Sequence, residues 1–241
     1  MTRTILITGA SSGIGAATAR TFLDAGWTAG LMARRADALA EVAADHPNAH
    51  VLPGDVTDPA ACDRVTDMFA ERAGRLDVLF NNAGLFVPAA PIDKVPLDDW
   101  DRAVAVNLTG MFLMARAAFQ VMRAQGGGRI VNNGSISAHV PREGAVSYTV
   151  TKHAITGLTK QLSLDGRSLG IACGQIDIGN ARTPMVEALD HAQRAAGQDG
   201  VATMDVADAA RAVFHMASLP PEANVLTMTI MANAMPYVGR G

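Results

Sequence analysis

Side chains that can do chemistry crowd into one stretch, NNGSISAHVPREGAVSYTVTK, which spans residues 132–152. Within it, Tyr148 and Lys152 lie four residues apart in a segment predicted to be helical, so both side chains project from one helix face. A free tyrosine has a pKa of about 10, and a nearby positive charge favours the phenolate and lowers that pKa. We therefore predict that Tyr148 exchanges a proton with a carbonyl or alcohol oxygen, with Lys152 lowering the tyrosine pKa.

The other reactive side chains of this stretch give weaker signals. His139 could serve as a base beside a serine, but no nucleophile-elbow pattern of the hydrolase kind accompanies it. We expect His139 either to line the substrate site or to be an ordinary loop residue. Arg142 and Glu143 are predicted to face solvent, with recognition of an acidic substrate by Arg142 as the alternative. Ser147 is expected to serve the start of the following helix.

A second chemical signal is the glycine-rich turn near the N-terminus, where TILIT is followed by GASSGIG and then by an alanine-rich helical pattern. Glycines permit a tight turn and let backbone N–H groups approach a pyrophosphate, which then lies at the positive end of the helix. The spacing T-G-x-x-x-G-x-G differs from the G-x-G-x-x-G fingerprint, but the physical requirements are shared. We predict a dinucleotide site with contacts from Gly9, Ser11, Ser12, Gly13, Ile14 and Gly15.

The residues that end the second predicted strand indicate which dinucleotide binds. An Asp or Glu about 20 residues beyond the glycines would bond the ribose 2′-hydroxyl of NAD. The chain instead has Ala33 followed by Arg34 and Arg35, two cations where a 2′-phosphate would lie. We predict NADP(H) as the favoured cofactor, with NAD(H) as the alternative. Arg35 could equally be a solvated residue at a helix start.

Composition and charge restrict the class of protein. The 241 residues, 49% of them hydrophobic, are enough for one sizeable globular domain. A net charge of −3 gives no general attraction to nucleic acid. Cys62 and Cys173 form neither a CxxC pair nor a metal cluster, which predicts reduced thiols in a cytoplasmic protein and no metal site. The N-terminal apolar run is too short for a signal peptide, and no uninterrupted apolar run reaches the roughly 18–20 residues of a membrane span.

Apolar segments of strand length alternate with longer helical patterns along the chain. Strands are predicted at residues 4–8, 28–33, 49–54, 76–81, 128–134, 171–178 and 225–230, and helices at about 13–25, 36–46, 58–73, 97–125, 147–168 and 205–217. Continuously apolar strands separated by helices indicate a doubly wound parallel α/β sheet, here of seven strands in a single domain over residues 1–241. Residues 184–204 are predicted to form a lid over the substrate, with a surface helix and loop as the alternative.

Five motifs in order resemble the single-domain branch of the short-chain dehydrogenase/reductase family. They are TGASSGIG at 8–15, NNAG at 81–84, Asn107 within AVNLTG, Ser135, and Tyr148-x-x-x-Lys152. The resemblance runs from residue 4 to about residue 184, and more loosely to residue 230. It implies a seven-stranded Rossmann fold and hydride transfer between a nicotinamide and a small-molecule carbonyl or secondary alcohol. It also implies a homo-oligomer, either a dimer or a tetramer.

The resemblance assigns roles to single residues. Ser135 would bond the substrate oxygen and help to hold the charge that develops there, and Asn107 would hold a water in a proton relay from Lys152 to solvent. Ser137 shares strand parity with Ser135, so it either contacts the substrate or makes a structural bond. Asn81 would steady the sheet. Further cofactor contacts are expected from Asp55, Val56, Asn82, Ala83, Gly84, Tyr148, Lys152, Ile178 and Thr183.

One motif departs from the family pattern, and two other functions compete with the dehydrogenase. Ile178 stands where the family commonly has a proline, which predicts a less rigid turn before Gly179. The first competing interpretation is a dinucleotide-binding regulator without turnover, which would have no need of the three catalytic candidates. The second is a sugar-nucleotide epimerase or dehydratase, which the short chain and the glycine spacing both disfavour.

Overall fold

The computed structural model describes residues 2–195, 197 and 199–238 of the chain. Its strands are β1 (Thr4–Thr8), β2 (Thr28–Ala33), β3 (Ala49–Pro53), β4 (Val78–Asn81), β5 (Gly128–Asn133), β6 (Ile171–Ile178) and β7 (Thr227–Ile230). In this part of the chain the seven strands form one sheet in the order β3-β2-β1-β4-β5-β6-β7, and every neighbouring pair is parallel. The strand order therefore reverses between β1 and β4, where a doubly wound sheet opens a crevice.

Helices cover both faces of this sheet. They are α1 (Gly13–Asp24), α2 (Ala36–Ala43), α3 (Pro59–Ala73), α4 (Leu97–Val104), α5 (Met111–Gln125), α6 (Val146–Gly166), α7 (Pro184–Ala195) and α8 (Val206–Ser218). Alternate residues of β1 belong to opposite layers: Ile5 and Ile7 join a core with α1, α2 and α8, whereas Leu6 joins a core with α3 and α5. The predicted fold class, a doubly wound α/β sheet of seven strands in a single domain, is confirmed.

The helix predicted over residues 97–125 is divided. Between α4 and α5, the segment Ala105–Gly110 is π-helical, a local widening that occurs often at functional sites. By length and composition alone, the continuous run Leu97–Gln125 could cross a membrane. However, its residues Met114 and Ala118 are fully buried in the core that contains α3. This run therefore also fits a helix that packs in the core against the sheet.

The predicted lid begins as α7, and two of its residues, Ala196 and Gln198, lie outside the described part of the chain. Beyond them the chain returns to the loop after β6. Val201 N donates to Asp190 Oδ1 at 2.6 Å, and Met204 exchanges backbone hydrogen bonds with Asn180 and Arg182, both at 2.9 Å. These bonds tie the end of the segment to the sheet edge, and closure over a substrate remains a prediction.

Candidate active site

The carboxyl ends of the parallel strands meet at one edge of the sheet, and a cleft of about 1060 Å³ lies there. The cleft brings together the glycine-rich turn and the 132–152 stretch, which are far apart in sequence. The predicted site residues that line it are Gly9, Ser11, Ser12, Gly13, Ile14, Arg34, Arg35, Asp55, Val56, Asn82, Ala83, Gly84, Ser135, Ser137, Tyr148, Lys152, Ile178 and Thr183. Among the described residues, the predicted site members outside this lining are Gly15, Asn107 and His139.

The glycine-rich turn has the backbone that its sequence demands. Gly9 and Gly13 have φ values of +65° and +53°, in the left-handed region that favours glycine. Helix α1 begins at Gly13, so its first-turn N–H groups and positive dipole end face the cleft. Gly15 also has a packing role, because a Cβ there would lie 2.2 Å from the Gly9 carbonyl oxygen. It lets the helix pack against the turn.

We expect Gly15→Ala to weaken both folding and dinucleotide binding. The added methyl group must displace the Gly9 carbonyl, and overpacking of this kind costs about 1–3 kcal/mol or more. Thermal melting and titration with NADPH measure the two effects. Gly157→Ala is the matched control: Gly157 lies within α6 with open space around its missing Cβ, so alanine should stabilise that helix slightly. If the two variants had equal melting temperatures and equal affinities for NADPH, the proposed packing role of Gly15 would be wrong.

Arg34 and Arg35 follow β2 as exposed residues and line the end of the cleft beyond the glycine-rich turn. After β3, Asp55 accepts hydrogen bonds from Thr57 N and Thr57 Oγ1, both at 2.9 Å, which fixes the loop. The neighbouring Val56 is buried. This part of the cleft lining therefore combines two guanidinium groups, the Asp55 turn and one apolar side chain, that of Val56.

A buried threonine that the sequence did not single out organises the NNAG segment. Thr8 Oγ1 accepts from the backbone N–H of Asn82 at 2.8 Å and of Ala83 at 2.9 Å. Asn82 Nδ2 donates in return to the Thr8 carbonyl at 2.9 Å, and Asn82 Oδ1 accepts from Asn133 at 2.8 Å. Asn81 donates to the Met111 carbonyl at 2.7 Å and so connects the sheet to α5. The ends of β1, β4 and β5 are thereby held in register beneath the cleft.

Asn107 lies in the π-helical segment and is fully buried. Its Oδ1 accepts from Leu85 N at 2.8 Å, and its Nδ2 donates to the Leu85 carbonyl at 2.9 Å. The side chain therefore fixes the loop after β4, and these bonds supply the hydrogen-bond partners that a buried amide needs. The proton relay predicted through this residue stays a prediction.

The three catalytic candidates meet at the centre of the cleft. A side-chain hydrogen bond joins Tyr148 to Ser135, and Ser135 Oγ accepts from Ser137 N at 3.1 Å. Lys152 is buried beneath, where its Nζ donates to the Asn133 carbonyl at 2.7 Å and lies 5.5 Å from the centroid of the Tyr148 ring. Phe86 stacks on the Tyr148 ring with centroids 4.0 Å apart. The phenol is thus held between an apolar ring and a serine hydroxyl.

Burial shifts the pKa values of both Tyr148 and Lys152. Burial raises the pKa of Tyr148, and the charge of Asp177 adds to this; the Ser135 hydrogen bond and the positive charge of Arg142 act the other way. Burial lowers the pKa of Lys152 to about 8. Burial therefore outweighs the nearby charges in the net pKa of Tyr148. That Lys152 favours the phenolate stays a prediction.

The structure bears on three weaker predictions about the 132–152 stretch. His139 lies outside the residues that line the cleft, which favours the loop alternative, and its Nε2 is bound to Asp177 Oδ2 at 2.8 Å. Arg142 does line it, partly buried, so it does not simply face solvent. Ser147 is no helix cap: α6 begins at Val146 after Ala145, and the Ser147 hydroxyl is buried without a partner among the described residues.

The model of the family described as short chain dehydrogenase matches residues 3–194 of the chain. The chain belongs to this family. A D-beta-hydroxybutyrate dehydrogenase from Rhizobium meliloti is 38% identical over 194 residues, covering 78% of this chain and 74% of the relative. Sulfoacetaldehyde reductase 2 from Chromohalobacter salexigens is 32% identical, covering 96% and 94%. The closed form of a serine dehydrogenase complexed with NADP+ superimposes with a TM-score of 0.90 at 26% identity, covering 99% and 98%.

As a short-chain dehydrogenase, this chain has an anchored turn where its sequence departs from the family. Ile178 is buried and extends β6 by pairing with Ile230 of β7. Gly179 N then donates to the Ile230 carbonyl at 2.8 Å, and Ala181 N donates to the Gly179 carbonyl at 2.9 Å. The turn is therefore held by hydrogen bonds instead of by the fixed φ of a proline, and Thr183 beside it faces Gly13 across the cleft.

A buried carboxylate, Asp177, lies behind Ser135 of this short-chain dehydrogenase, and no motif pointed to it. Asp177 Oδ1 accepts from Ser135 N at 2.9 Å and from Gln175 Nε2 at 2.7 Å, while Oδ2 holds His139. Gly134 leaves the space for it, since a Cβ there would lie 2.1 Å from Asp177 Oδ1. An acidic residue inside an apolar strand segment, IACGQIDI, was the available signal, because a buried charge needs partners.

Proposed function

We propose that this short-chain dehydrogenase is an NADP(H)-dependent oxidoreductase that interconverts a small carbonyl compound and its secondary alcohol. The observation that carries the proposal is the joined arrangement of Ser135 and Tyr148 at the cleft centre, with Lys152 buried behind them. The family membership makes the chain an oxidoreductase. The relatives are named for small hydroxy or carbonyl compounds, and we propose a substrate of similar size.

The described residues fit a dinucleotide along the cleft. The positive φ values of Gly9 and Gly13 open a cradle at the start of α1 that a side chain at Gly13 would narrow toward Thr183. Arg34 and Arg35 would hold the 2′-phosphate, the turn and α1 the pyrophosphate, and the backbone around Ile178 the nicotinamide end. When bound, the nicotinamide supplies or accepts the hydride.

The protein's own side chains supply the proton and the charge stabilisation. In the reducing direction, the Tyr148 hydroxyl donates its proton to the substrate oxygen, and the raised pKa of Tyr148 keeps it protonated near neutral pH. The Ser135 hydroxyl donates to the same oxygen, and its position is fixed by the Ser137 N–H. Lys152, held by the Asn133 carbonyl, places positive charge below the phenol ring, which favours the phenolate left after proton transfer. We propose that Asn107 holds a water in the relay that returns the proton from solvent through Lys152.

We expect Arg34→Ala to weaken NADPH binding about 10–100-fold and NADH binding much less. Hydrogen bonds between a charged donor and a phosphate contribute roughly 1.5–3 kcal/mol. NADH lacks the 2′-phosphate, so its binding does not include these bonds and should change little. Fluorescence titration with both cofactors measures the effect. Arg116→Ala is the control, because Arg116 is exposed on α5 and pairs with Asp63 away from the cleft. Equal losses for NADPH and NADH would show that the 2′-phosphate is not bound by Arg34.

The competing function is a dinucleotide-binding regulator without turnover. Purified protein is mixed with NADPH and a panel of ketones and aldehydes, and NADPH oxidation is followed at 340 nm, the standard absorbance of the reduced cofactor. Turnover of any member supports the oxidoreductase. Tight NADPH binding without oxidation across the panel would favour the regulator.

We also propose that the protein is cytoplasmic and forms a homo-oligomer, a dimer or a tetramer. Large apolar side chains are exposed on the helices of one face, among them Leu97 at 78%, Phe112 at 48% and Leu164 at 57%. Such exposed apolar surface is typical of protein–protein contact. Sedimentation equilibrium measures the assembly directly.

A further inference from the structure

Besides Lys152, the described residues that line the cleft near Tyr148 in sequence include a guanidinium, that of Arg142. Arg142 lies in the loop between β5 and α6, six residues before Tyr148, and lines the cleft as a partly buried residue. Its positive charge acts on the Tyr148 hydroxyl and opposes the rise of the tyrosine pKa. Arg142 and Tyr148 line the same cleft, so a single bound molecule of suitable length can contact both.

The guanidinium is held in place across the cleft. Arg142 Nη2 donates to Asn180 Oδ1 at 2.8 Å, which joins the loop after β5 to the loop after β6. Asn180 is itself buried: its Nδ2 donates to the Ala202 carbonyl at 3.2 Å, and its carbonyl accepts from Met204 N at 2.9 Å. A long flexible side chain thus has a fixed orientation, which reduces the entropy lost when a ligand binds.

The walls around Arg142 narrow the choice of ligand. The lining of the cleft that contains Arg142 also includes a set of large apolar side chains, Leu85, Phe86, Val87, Met185, Leu189 and Met235, beside polar ones such as Ser137 and Thr183. Arginine offers five N–H donors in a planar fork that matches a carboxylate. Glu143 also lines the cleft, but it is exposed, so it is better solvated than Arg142. A ligand suited to this region has a short apolar body with one planar anionic end.

We propose that the substrate is an oxo acid or hydroxy acid whose carboxylate binds Arg142, with Asn180 holding the guanidinium in position. This rests on the proposed oxidoreductase function and specifies its substrate class. The carbonyl or hydroxyl carbon lies between Tyr148 and the nicotinamide end of the cleft, and the carboxylate lies toward the loop after β6. The distance between the two groups selects among acids of different length.

Paired substrates test the proposal. The wild-type enzyme with NADPH is assayed on 2-oxo-, 3-oxo- and 4-oxopentanoate and on the methyl ester of each. We expect kcat/KM to favour at least one acid over its ester, and Arg142→Gln to lower kcat/KM for that acid about 10–100-fold with a smaller loss for the ester. Arg142→Lys keeps the charge without the fork, so its loss should be intermediate. Glu143→Gln is the matched control and should not reduce the preference for the acid.

The alternative is that Arg142 only ties the two loops together. In that case Arg142→Gln and Asn180→Ala would lower the melting temperature and reduce kcat/KM for acid and ester alike, and the proposal would be wrong. A wild-type enzyme that prefers every ester would overturn it as well.

A binding measurement separates this proposal from the proposed function. Calorimetric titration of the NADPH-loaded protein with pentanoate, which has no carbonyl to reduce, reports the carboxylate site without turnover. Pentanoate binding that Arg142→Gln weakens at least tenfold supports the carboxylate site, even if no carbonyl is reduced and the oxidoreductase function fails. Failure of pentanoate to bind, or equal binding to wild type and Arg142→Gln, contradicts the carboxylate site whatever the enzyme reduces.

Discussion

Replacing Tyr148 with phenylalanine is expected to lower kcat about 10²–10⁴-fold, the usual contribution of a positioned acid or base. The hydroxyl is the only part of the side chain that is lost, and it is the group joined to Ser135. The phenyl ring keeps its stacking on Phe86 and its place above Lys152, so the fold and the cleft should remain intact. Steady-state kinetics on any substrate found in the carbonyl panel measures the loss.

The chain offers a matched control in Tyr237→Phe. The sequence has two tyrosines, and Tyr237 packs beside Met235 and Ala232 near the C-terminus. Removing its hydroxyl tests whether loss of any phenol impairs the enzyme, and near-normal activity is expected. NADPH titration should give similar dissociation constants for wild type and both variants. A Tyr148→Phe enzyme with more than a tenth of wild-type kcat would eliminate Tyr148 as the acid.

The sequence was sufficient for those parts of the fold and of the site that depend on local rules. Apolar strands between amphipathic helices predicted the doubly wound sheet because burial on both faces requires continuous apolar runs. The positive φ values at Gly9 and Gly13 follow from a turn that only glycine adopts easily. Tyr148 and Lys152 meet because helical spacing places them on one face. Each of these features is determined within a few neighbouring residues.

Features that depend on contacts between distant segments were missed. β4 begins at Val78 and not at residue 76, because Gln125 from the end of α5 takes both backbone groups of Leu76, at 3.0 Å and 2.6 Å. The π-helical segment could not be read from an apolar pattern, since its widening accompanies the bonds between Asn107 and Leu85. The raised pKa of Tyr148 could not be read from the sequence, because burial, which only the fold determines, outweighs the nearby charges.

Asp177 belongs to this second group, and its replacement by alanine is expected to have a large effect on stability. The carboxylate accepts from Ser135 N and Gln175 Nε2, and both donors are buried. Each donor left unpaired costs about 1–3 kcal/mol. For a chain of this length, the melting temperature of Asp177→Ala should fall by on the order of 10 °C. Asp63→Ala is the control, because Asp63 is an exposed residue paired with Arg116 and should melt near the wild-type temperature.

Asp177→Asn separates the charge of this residue from its hydrogen bonds. The asparagine Oδ1 can accept from Ser135 N and Gln175 Nε2, while its Nδ2 donates to His139 Nε2 in the tautomer protonated at Nδ1. Every partner stays bonded, so the melting temperature should remain close to that of wild type. What is lost is a negative charge beside the catalytic pair, and the effect should appear in the pH dependence of the reaction.

The sign of that pH effect follows from the two pKa shifts. Burial is the main reason that the pKa of Tyr148 is raised, and Asp177 raises it further; burial lowers the pKa of Lys152, and Asp177 opposes that. Removing the charge therefore lowers both pKa values. Alcohol oxidation requires Tyr148 as the phenolate, so the rise of kcat/KM with pH should move to lower pH in Asp177→Asn. If Asp177→Asn melts normally and its pH profile coincides with that of wild type, then Asp177 holds Ser135 in place but does not change the pKa of Tyr148.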